Sequence, residues 1–570
     1  MLLHGVGVGR GISVGSTLRM PEPLPEPHDD ISSASPADEF SRVEAAIAHV
    51  AADLEARGVE VGGEAQDVLS AQSLMAQDPT LIDDIHERLA NHKSADRAVF
   101  EAFANFRDVL VQLGGYMAER AADLDDVSQR IIASLRGVAS PGVPASNTPF
   151  ILVAHDLAPA DTALLDLTKV IGLITREGGP TSHTAILARS KSIPAIVGVE
   201  GAEELADGTP VILDAGAGTV RTSPSADEVG QARARIAERL GAADAPLTPG
   251  ALADGTPIAL LANLGSADGA DEALALGAEG VGLFRTEFLF LDSIEAPSVE
   301  TQVREYERML RAFVGKKVVV RVLDAGGDKP LGFLTHEKEE NPALGLRGIR
   351  ALKASEQILR DQLTALVTAE ERVNGQRAGE DPALAPAGER VDLWVMAPMI
   401  ADSDDTEYFA SLARESGIRV AGVMAEVPSS ALVADQIFDI ADFVSIGTND
   451  LTQYALAADR LLGSVANLQD PWHPAVLRLV GMLGRAGRDA GKPVGVCGEA
   501  AADPALAVVL VGLGVTSLSM TPTALAEVRG ELSRHTLAEA QELARAAVSA
   551  TSAERARSAV VRLAAANAVA

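Results

Sequence analysis

The chain has 570 residues, which is enough for about three or four domains that each bury a core of their own. Its formal net charge of −32 argues against nucleic acid as a partner, because a phosphate backbone attracts lysine and arginine. One cysteine, no basic N-terminal segment ahead of an apolar core, and a longest apolar run of only residues 505–515 predict a cytoplasmic protein that does not insert into a membrane.

Short strands begin the chain, and a helical bundle follows them. Apolar residues alternate with glycine at the start, and a proline-rich segment occupies residues 21–27. From residue 39 apolar side chains recur every three or four positions, which is typical of helices that bury one face. This period covers residues 40–54, 81–89, 99–117 and 127–135. We therefore predict a helical bundle over residues 26–144, inserted into another domain.

That other domain resumes with buried strands. Continuous apolar runs occur at residues 150–154, 170–174, 193–197 and 211–213, which predicts the strands of an α/β domain. Because similar strands precede the bundle, we assign residues 1–25 and 145–222 to one split domain. The polar amphipathic segment that follows, residues 223–248, is predicted to be a linker helix.

His183 stands at the first turn of a predicted helix in the split domain. A Gly-Gly-Pro turn precedes it at residues 178–180, and Thr181 and Ser182 are good N-cap residues. The free N–H groups and the positive dipole end of such a helix favour a phosphorylated imidazole. The alternative is a histidine at a helix start without chemistry. Since the turn, the two hydroxyls and the helix start coincide, we favour a phosphorylation site.

Eight strand-then-helix units follow the linker. Their strands begin near residues 258, 280, 318, 393, 420, 443, 494 and 517. Eight units in about 320 residues are typical of a TIM barrel, which we assign to residues 249–570. The active sites of that fold lie at the carboxyl ends of the strands, and polar residues stand where nearly every strand of this chain ends.

Four arginines follow barrel strands or lie in the loop after the third one: Arg285, Arg321, Arg347 and Arg460. A single arginine in such a position is commonly a salt-bridge partner. Four around one barrel mouth predict an anionic ligand, because a guanidinium matches phosphate and carboxylate groups bidentately.

Two carboxylates, Glu426 and Asp450, end neighbouring strands beside these arginines. They would repel a phosphate ligand unless a divalent cation lay between them. Oxygen ligands combined with a substrate phosphate favour Mg²⁺. The alternative is a carboxylate pair that the arginines neutralise.

Several segments resemble one enzyme family. Residues 178–189, GGPTSHTAILAR, and the preceding Asp161 and Thr162 resemble the phosphohistidine signature of the phosphoenolpyruvate-utilising enzymes. Five barrel segments resemble the phosphoenolpyruvate (PEP) site of that family: GLFRTEFLF at 282–290, DAGGDK at 324–329, ENPALGLR at 340–347, SIGTNDLTQY at 445–454 and VCGE at 496–499. The resemblance covers nearly the whole chain.

The resemblance implies a role for each matching residue. His183 would accept the phosphoryl group, supported by Thr162, and Cys497 would exchange the proton at C3 of the enolate. Without the resemblance, a lone buried cysteine is usually only a small hydrophobic residue. Glu426 and Asp450 would bind Mg²⁺. The residues implied to bind substrate are Arg285, Arg321, Arg347, Asn449, Asp450 and Arg460.

Domain order distinguishes the members of this family. Dikinase and synthase members carry an ATP-grasp domain ahead of the phosphohistidine, whereas here a helical bundle fills those residues. This order is similar to that of the Enzyme I family of the sugar phosphotransferase system, whose bundle docks the carrier protein HPr. The resemblance implies a homodimer, joined through the barrel, that passes the phosphoryl group of PEP to His183 and then to a histidine of HPr, releasing pyruvate.

Some features depart from the Enzyme I pattern. Gln72 stands where the family often has a histidine, and residues 425–430, AEVPSS, replace the usual VETPAA. Residues 373–390 are predicted to form an inserted surface loop. One rival hypothesis is a barrel lyase or phosphomutase acting on pyruvate derivatives, which leaves His183 unexplained. The other is a regulatory phosphocarrier without turnover, which the intact barrel motifs argue against.

Overall fold

The computed structural model describes most of the chain in two compact units, residues 1–237 with 460–466 and residues 238–459 with 467–570. No helix in this described part is long and apolar enough to span a bilayer. The residues outside the description are 9–10, 22–23, 62, 114–120, 139–141, 145, 158–164, 167, 180–183, 186–187, 189–192, 244–246, 292, 294, 327–330, 335–338, 376–389, 461, 463–464, 466–467 and 568–570.

An eight-stranded sheet unites two distant parts of the chain in the first unit. Its strands lie in the order β1-β8-β7-β3-β4-β5-β6-β2. β3 joins the two parts, because it pairs parallel to β4 and antiparallel to β7. The predicted split α/β domain is confirmed, while its residue boundaries stay predictions. The strands are β1 Leu2–His4, β2 Val6–Val8, β3 Ile12–Arg19, β4 Phe150–Ala154, β5 Val170–Thr175, β6 Ala195–Val197, β7 Pro210–Asp214 and β8 Thr219–Thr222.

The insertion between β3 and β4 is helical, as predicted. Its apolar side chains form one core that includes Leu54, Leu69 and Phe103. The second helix was not predicted, because its buried face also carries the polar side chains of Gln72 and Ser73. The helices are α1 Pro36–Val61, α2 Gly63–Ala76, α3 Pro79–Ala90, α4 Ala95–Leu113 and α5 Ala121–Arg136.

Glu101 of α4 joins the end of α3 to the start of α4. Its carboxylate accepts hydrogen bonds from Arg88 Nη1 at 2.8 Å, Lys93 Nζ at 2.8 Å and Arg97 Nε at 2.7 Å. Desolvation alone would raise the pKa of Glu101, but these three cations outweigh it and lower that pKa to about 2. The ionised carboxylate therefore stabilises the bundle.

We expect Glu101→Gln to lower the hydrogen-exchange protection of α3 and α4 at pH 7 by about tenfold, because charged hydrogen bonds are lost. The depressed pKa means that this stability is present above the ordinary value of 4.5 and is lost as the pH falls through about 2. Exchange mass spectrometry of the full chain measures the effect. The exposed Glu87→Gln on α3 is the control, and equal protection in both variants would contradict the expectation.

A linker helix, α6 Ala226–Ala243, follows β8 and lies within the predicted segment. Ser225 N donates to Glu228 Oε2 at 2.8 Å, which satisfies one backbone group at the helix start. Arg235 Nη1 donates to Asp214 Oδ2 at 3.0 Å and joins the helix to β7.

The second unit is a closed barrel of eight strands, as predicted. Every strand pairs parallel with both neighbours, and β16 closes the barrel by pairing with β9. The predicted fold class is confirmed. The strands are β9 Ala259–Leu264, β10 Gly280–Arg285, β11 Lys317–Arg321, β12 Asp392–Ala397, β13 Ala421–Ala425, β14 Val444–Ile446, β15 Val494–Val496 and β16 Ser517–Met520.

Helices cover the outside of the barrel. α11 extends to Gly375, so residues 373–375 are helical rather than part of the predicted loop, whose residues 376–389 lie outside the description. The helices are α7 Ala270–Ala275, α8 Phe288–Leu291, α9 Val299–Ala312, α10 Ile349–Ala354, α11 Glu356–Gly375, α12 Ser403–Glu415, α13 Pro428–Leu432, α14 Ala434–Ile440, α15 Thr448–Leu456, α16 Pro474–Ala490, α17 Pro504–Gly512, α18 Leu525–Leu532, α19 Leu537–Ser549 and α20 Ala553–Asn567.

Candidate active site at the carboxyl end of the barrel

Charged side chains converge at the carboxyl end of the barrel strands. All parallel strands of a closed barrel end on the same side, so the residues that follow them lie close together. We call this group the charge cluster. It consists of Arg285, Glu287, Arg321, Asp324, Arg347, Glu426 and Asp450, all of which are buried except the half-buried Arg285.

Arg347 neutralises two carboxylates of the charge cluster. Its Nη1 and Nη2 donate to the two oxygens of Asp450 at 2.8 and 3.2 Å. Its Nε and Nη2 donate to those of Asp324 at 3.2 and 3.0 Å. Burial opposes the charge on Arg347, but the two carboxylates outweigh burial and raise the pKa of Arg347 above its ordinary value. The guanidinium is therefore charged and fixed before a ligand binds.

Arg321 is held in the same manner. Its Nη2 forms an ion pair with Glu287 Oε1, and its Nη1 lies 3.1 Å from Asp324 Oδ2. Burial alone would lower the pKa of Arg321, but the carboxylates of Glu287, Asp324 and Glu426 raise it. Arg321 Nε and Glu287 Oε2 are buried without a hydrogen-bond partner among the described residues. Both atoms are therefore available to a bound ligand.

Arg285, at the end of β10, differs from the other two arginines. Desolvation and the neighbouring charge of Arg321 lower the pKa of Arg285 below its ordinary value. An anion bound beside Arg285 would reverse that effect, because it would supply the missing counter-charge. The arrangement therefore favours an anionic ligand.

Glu426 lies directly after β13 and faces other carboxylates. Met399 N donates to its Oε1 at 2.7 Å. Burial and repulsion by Asp450 and Asp324 raise the pKa of Glu426 to about 8. A divalent cation would offset that repulsion, and one or two carboxylates plus substrate oxygens are the usual ligands of Mg²⁺. Across the described ranges no three His, Cys, Asp or Glu side chains form a ready metal site.

A buried amide supports the strand ends that carry the arginines. Gln362 of α11 accepts from Leu323 N at 2.9 Å, and its Nε2 donates to Thr286 Oγ1 at 3.1 Å and Tyr306 Oη at 2.9 Å. Thr286 Oγ1 in turn donates to the carbonyl oxygen of Arg321 at 3.0 Å. Gln362 thus links the outer helices to the ends of β10 and β11.

We expect Gln362→Leu to lower the free energy of unfolding of the barrel by about 1–3 kcal/mol, because it leaves buried donors and an acceptor without partners. Gln357→Leu on the same helix removes only an exposed hydrogen bond to Asp361 and is the matched control. Chemical denaturation followed by tryptophan fluorescence compares the two variants. Equal stability in both would contradict the supporting role of Gln362.

Cys497 follows β15 and is 3% exposed. Its Sγ lies 3.6 Å from the carbonyl oxygen of Ile446, and the side chain of Ser445 lies nearby. Burial raises the pKa of Cys497 to about 11. The thiol therefore keeps its proton at neutral pH, which suits a proton donor.

Most of the predicted site residues lie at this one end of the barrel. Asn449 at the start of α15 accepts at Oδ1 from Glu499 N at 3.1 Å, which joins the segments after β14 and β15. Arg460 follows α15 in the chain but falls in the first compact unit. His183 and Thr162 lie outside the described residues. The adjacent Thr184 is buried, and its hydroxyl donates to Asp156 Oδ1 at 3.0 Å.

Two members of the charge cluster were not predicted from the sequence. Glu287 and Asp324 hold Arg321, and Asp324 also holds Arg347. Both follow barrel strands within the motifs that carry the arginines, at Arg-Thr-Glu and Leu-Asp. Their position at the strand ends could have indicated a role in the site. However, an acidic residue at a strand end can equally well be exposed to solvent, so its position alone does not predict an ion pair.

Known proteins match nearly the whole length of the chain. Residues 239–537 match the PEP-binding domain of PEP-utilising enzymes, residues 147–218 their mobile domain and residues 4–120 their N-terminal domain. A phosphoenolpyruvate-protein phosphotransferase of Streptomyces coelicolor is 50% identical over 560 residues, which cover 98% of each chain. The protein of the same name from Bacillus subtilis is 36% identical, and the match covers 95% of each chain. The one from Haloferax volcanii is 38% identical, and the match covers 85% of this chain and 84% of the relative.

Proposed function

Since this chain belongs to the family of PEP-utilising enzymes, we propose that it transfers the phosphoryl group of PEP to its own His183 and then to a histidine of HPr. Pyruvate is the second product. The enzyme is a phosphoenolpyruvate-protein phosphotransferase that catalyses the first step of sugar uptake in the cytoplasm. The observation that carries the proposal is the charge cluster, in which fixed guanidinium groups stand beside paired carboxylates.

The arginines bind the two anionic groups of PEP. Arg321 and Arg347 are already held by carboxylates, so their charges need little reorganisation when phosphate arrives. Among the described residues no carboxylate pairs with Arg285 as carboxylates do with the other two arginines, so Arg285 gains most from the substrate's charge. Asn449, Asp450 and Arg460 are further proposed substrate ligands.

Glu426 and Asp450 are the residues that would hold Mg²⁺. The raised pKa of Glu426 supports this assignment, because two buried carboxylates repel each other without a cation. When bound, Mg²⁺ neutralises charge on the phosphoryl oxygens during transfer. The arginines share that task and orient the phosphoryl group toward its acceptor.

Cys497 protonates the carbon that phosphoryl transfer leaves electron-rich. Loss of the phosphoryl group converts PEP to the enolate of pyruvate, which takes a proton at C3. The Cys497 thiol retains a proton at neutral pH and lies close enough to Arg321 and Arg285 to interact with their charges. Protonation makes the release of pyruvate favourable and so drives the transfer.

His183 is the proposed acceptor on the split domain. The predicted helix start would direct N–H groups toward the phosphorylated imidazole, and Thr162 would support that imidazole. The helical bundle α1–α5 is the proposed docking surface for HPr. The barrel is the proposed contact between two copies of the chain.

Incubation with ³²P-labelled PEP, Mg²⁺ and purified HPr tests the proposed function. We expect label to reach the enzyme first and HPr second, with one pyruvate formed for each phosphoryl group transferred. Omission of HPr should stop pyruvate formation after a single turnover. Label that remains on PEP, or that reaches HPr without passing through the enzyme, would contradict the proposal.

A further inference from the structure

Polar groups connect Cys497 with the amino ends of the barrel strands. Many side chains inside the barrel are apolar, so polar side chains there require a reason. Those that line one small cavity are Lys317, Ser445, Ser517 and Ser519. The apolar residues packed around Cys497 are Leu283, Val319, Met396, Met424 and Phe443.

Ser445 and Ser517 face each other across Gly495. In the barrel register Gly495 pairs with Ser445 of β14 and with Ser517 of β16. A methyl group on Gly495 would lie 2.8 Å from Ser517 Oγ and 3.9 Å from Ser445 Oγ, so the glycine leaves room between the hydroxyls. The cavity has a volume of about 20 Å³. One water needs roughly 10–15 Å³ and two to four polar partners, and this cavity offers both.

Lys317 lines the same cavity from the amino end of the barrel. It is the first residue of β11 and is half-buried, and its Nζ lies 4.4 Å from the centre of the Trp394 ring. Burial lowers the pKa of Lys317 below its ordinary value, although the nearby Asp392 opposes this. Lys317 therefore borders the cavity and is also half-exposed to solvent, and its lowered pKa favours release of a proton.

We propose that Ser445, a cavity water and Lys317 relay protons from the amino end of the barrel to Cys497. The inference rests on the proposed function, in which the Cys497 S–H bond breaks and the proton moves to C3 of the enolate. The Ser445 hydroxyl then gives its proton to the thiolate. The water restores the proton of Ser445, the Lys317 ammonium restores that of the water, and solvent reprotonates the Lys317 amine.

Each turnover thus takes one proton from solvent at the amino end and adds one to C3. The route matters because Cys497 is 3% exposed, and substrate occupies the carboxyl end of the barrel. The side chain of Ser445 lies near the thiol, so Ser445 is the proposed first donor to the thiolate. The relay lets Cys497 regain its proton without passing it through the substrate site.

Exchange of the methyl hydrogens of pyruvate in D₂O tests the relay. In this reverse step Cys497 removes a proton from C3, and exchange requires that proton to reach solvent. NMR follows the exchange with the full chain and Mg²⁺. We expect Ser445→Ala and Lys317→Met each to slow exchange about tenfold or more. Single-turnover phosphorylation of His183 should change by less than about twofold.

Two further variants serve as controls for the exchange experiment. Ser416→Ala, directly after α12, removes a hydroxyl that donates to Leu412 O at 2.9 Å outside the barrel interior, and it should leave both rates unchanged. A wild-type rate of exchange in Ser445→Ala or Lys317→Met overturns the relay. A loss of His183 phosphorylation as large as the loss of exchange also overturns it. If Cys497→Ala retains exchange, the proposed role of Cys497 fails as well. If Cys497→Ala abolishes exchange while the other two variants retain it, the relay alone fails.

Discussion

His183→Ala should lower phosphoryl transfer from PEP to HPr by a factor of about 10³ or more, because both half-reactions pass through this imidazole. PEP binding should persist, since the proposed ligands belong to the barrel and not to the split domain. Pyruvate formation in the presence of HPr measures the first effect. Titration calorimetry with PEP and Mg²⁺ measures the second.

His155→Gln provides a matched control for His183→Ala. His155 lies in the same split domain, directly after β4, and its imidazole is 47% exposed beside Glu177. We expect this variant to transfer phosphoryl groups at the wild-type rate. A His183→Ala protein that still phosphorylates HPr would show that another group is the acceptor.

Glu426→Gln and Asp450→Asn should each raise the Mg²⁺ concentration needed for half-maximal activity by about 10–100-fold or more, because each removes a charged metal ligand. Titration of Mg²⁺ in the single-turnover reaction measures this shift. The exposed Asp435→Asn on α14 is the control. An unchanged requirement in both ligand variants would favour the alternative in which the arginines simply neutralise the pair.

Stability separates these explanations further. The folded protein raises the pKa of Glu426 from 4.5 to about 8, so the free energy of unfolding falls as the pH rises from 4.5 to about 8 and stays lower above that pH. In the absence of Mg²⁺, Glu426→Gln should therefore keep or raise the free energy of unfolding at pH 7. Asp450→Asn should lower the free energy of unfolding, because Asp450 is paired with Arg347. A large loss of stability in Glu426→Gln would contradict the carboxylate repulsion.

The fold was predictable because its signals are periodic and local. Strands that are buried on both faces give continuous apolar runs, and eight such runs followed by helices specify the barrel. The helix α2 gave no clear period, because Gln72 and Ser73 occupy buried positions where apolar residues were expected. In that helix tertiary packing determines the structure more than the local pattern does.

The candidate site was predictable only in part. Strand-end positions identified Arg285, Arg321 and Glu426, since parallel strands bring their carboxyl ends together. Asp324 contacts both Arg321 and Arg347. Arg347 lies 23 residues further along the chain, and no local sequence period predicts such a contact. Gln362 was missed for a related reason, because an amide on a helix is normally exposed.

Phosphorylation of His183 by PEP can be observed directly. The most direct measurement maps the phosphoryl group by mass spectrometry after the full chain reacts with PEP and Mg²⁺ and is digested under alkaline conditions. We predict one acid-labile phosphoryl group on the peptide that contains residues 178–189, specifically on the imidazole of His183, and its disappearance when HPr is added. A phosphoryl group on any other residue, or none on the chain, would contradict this account.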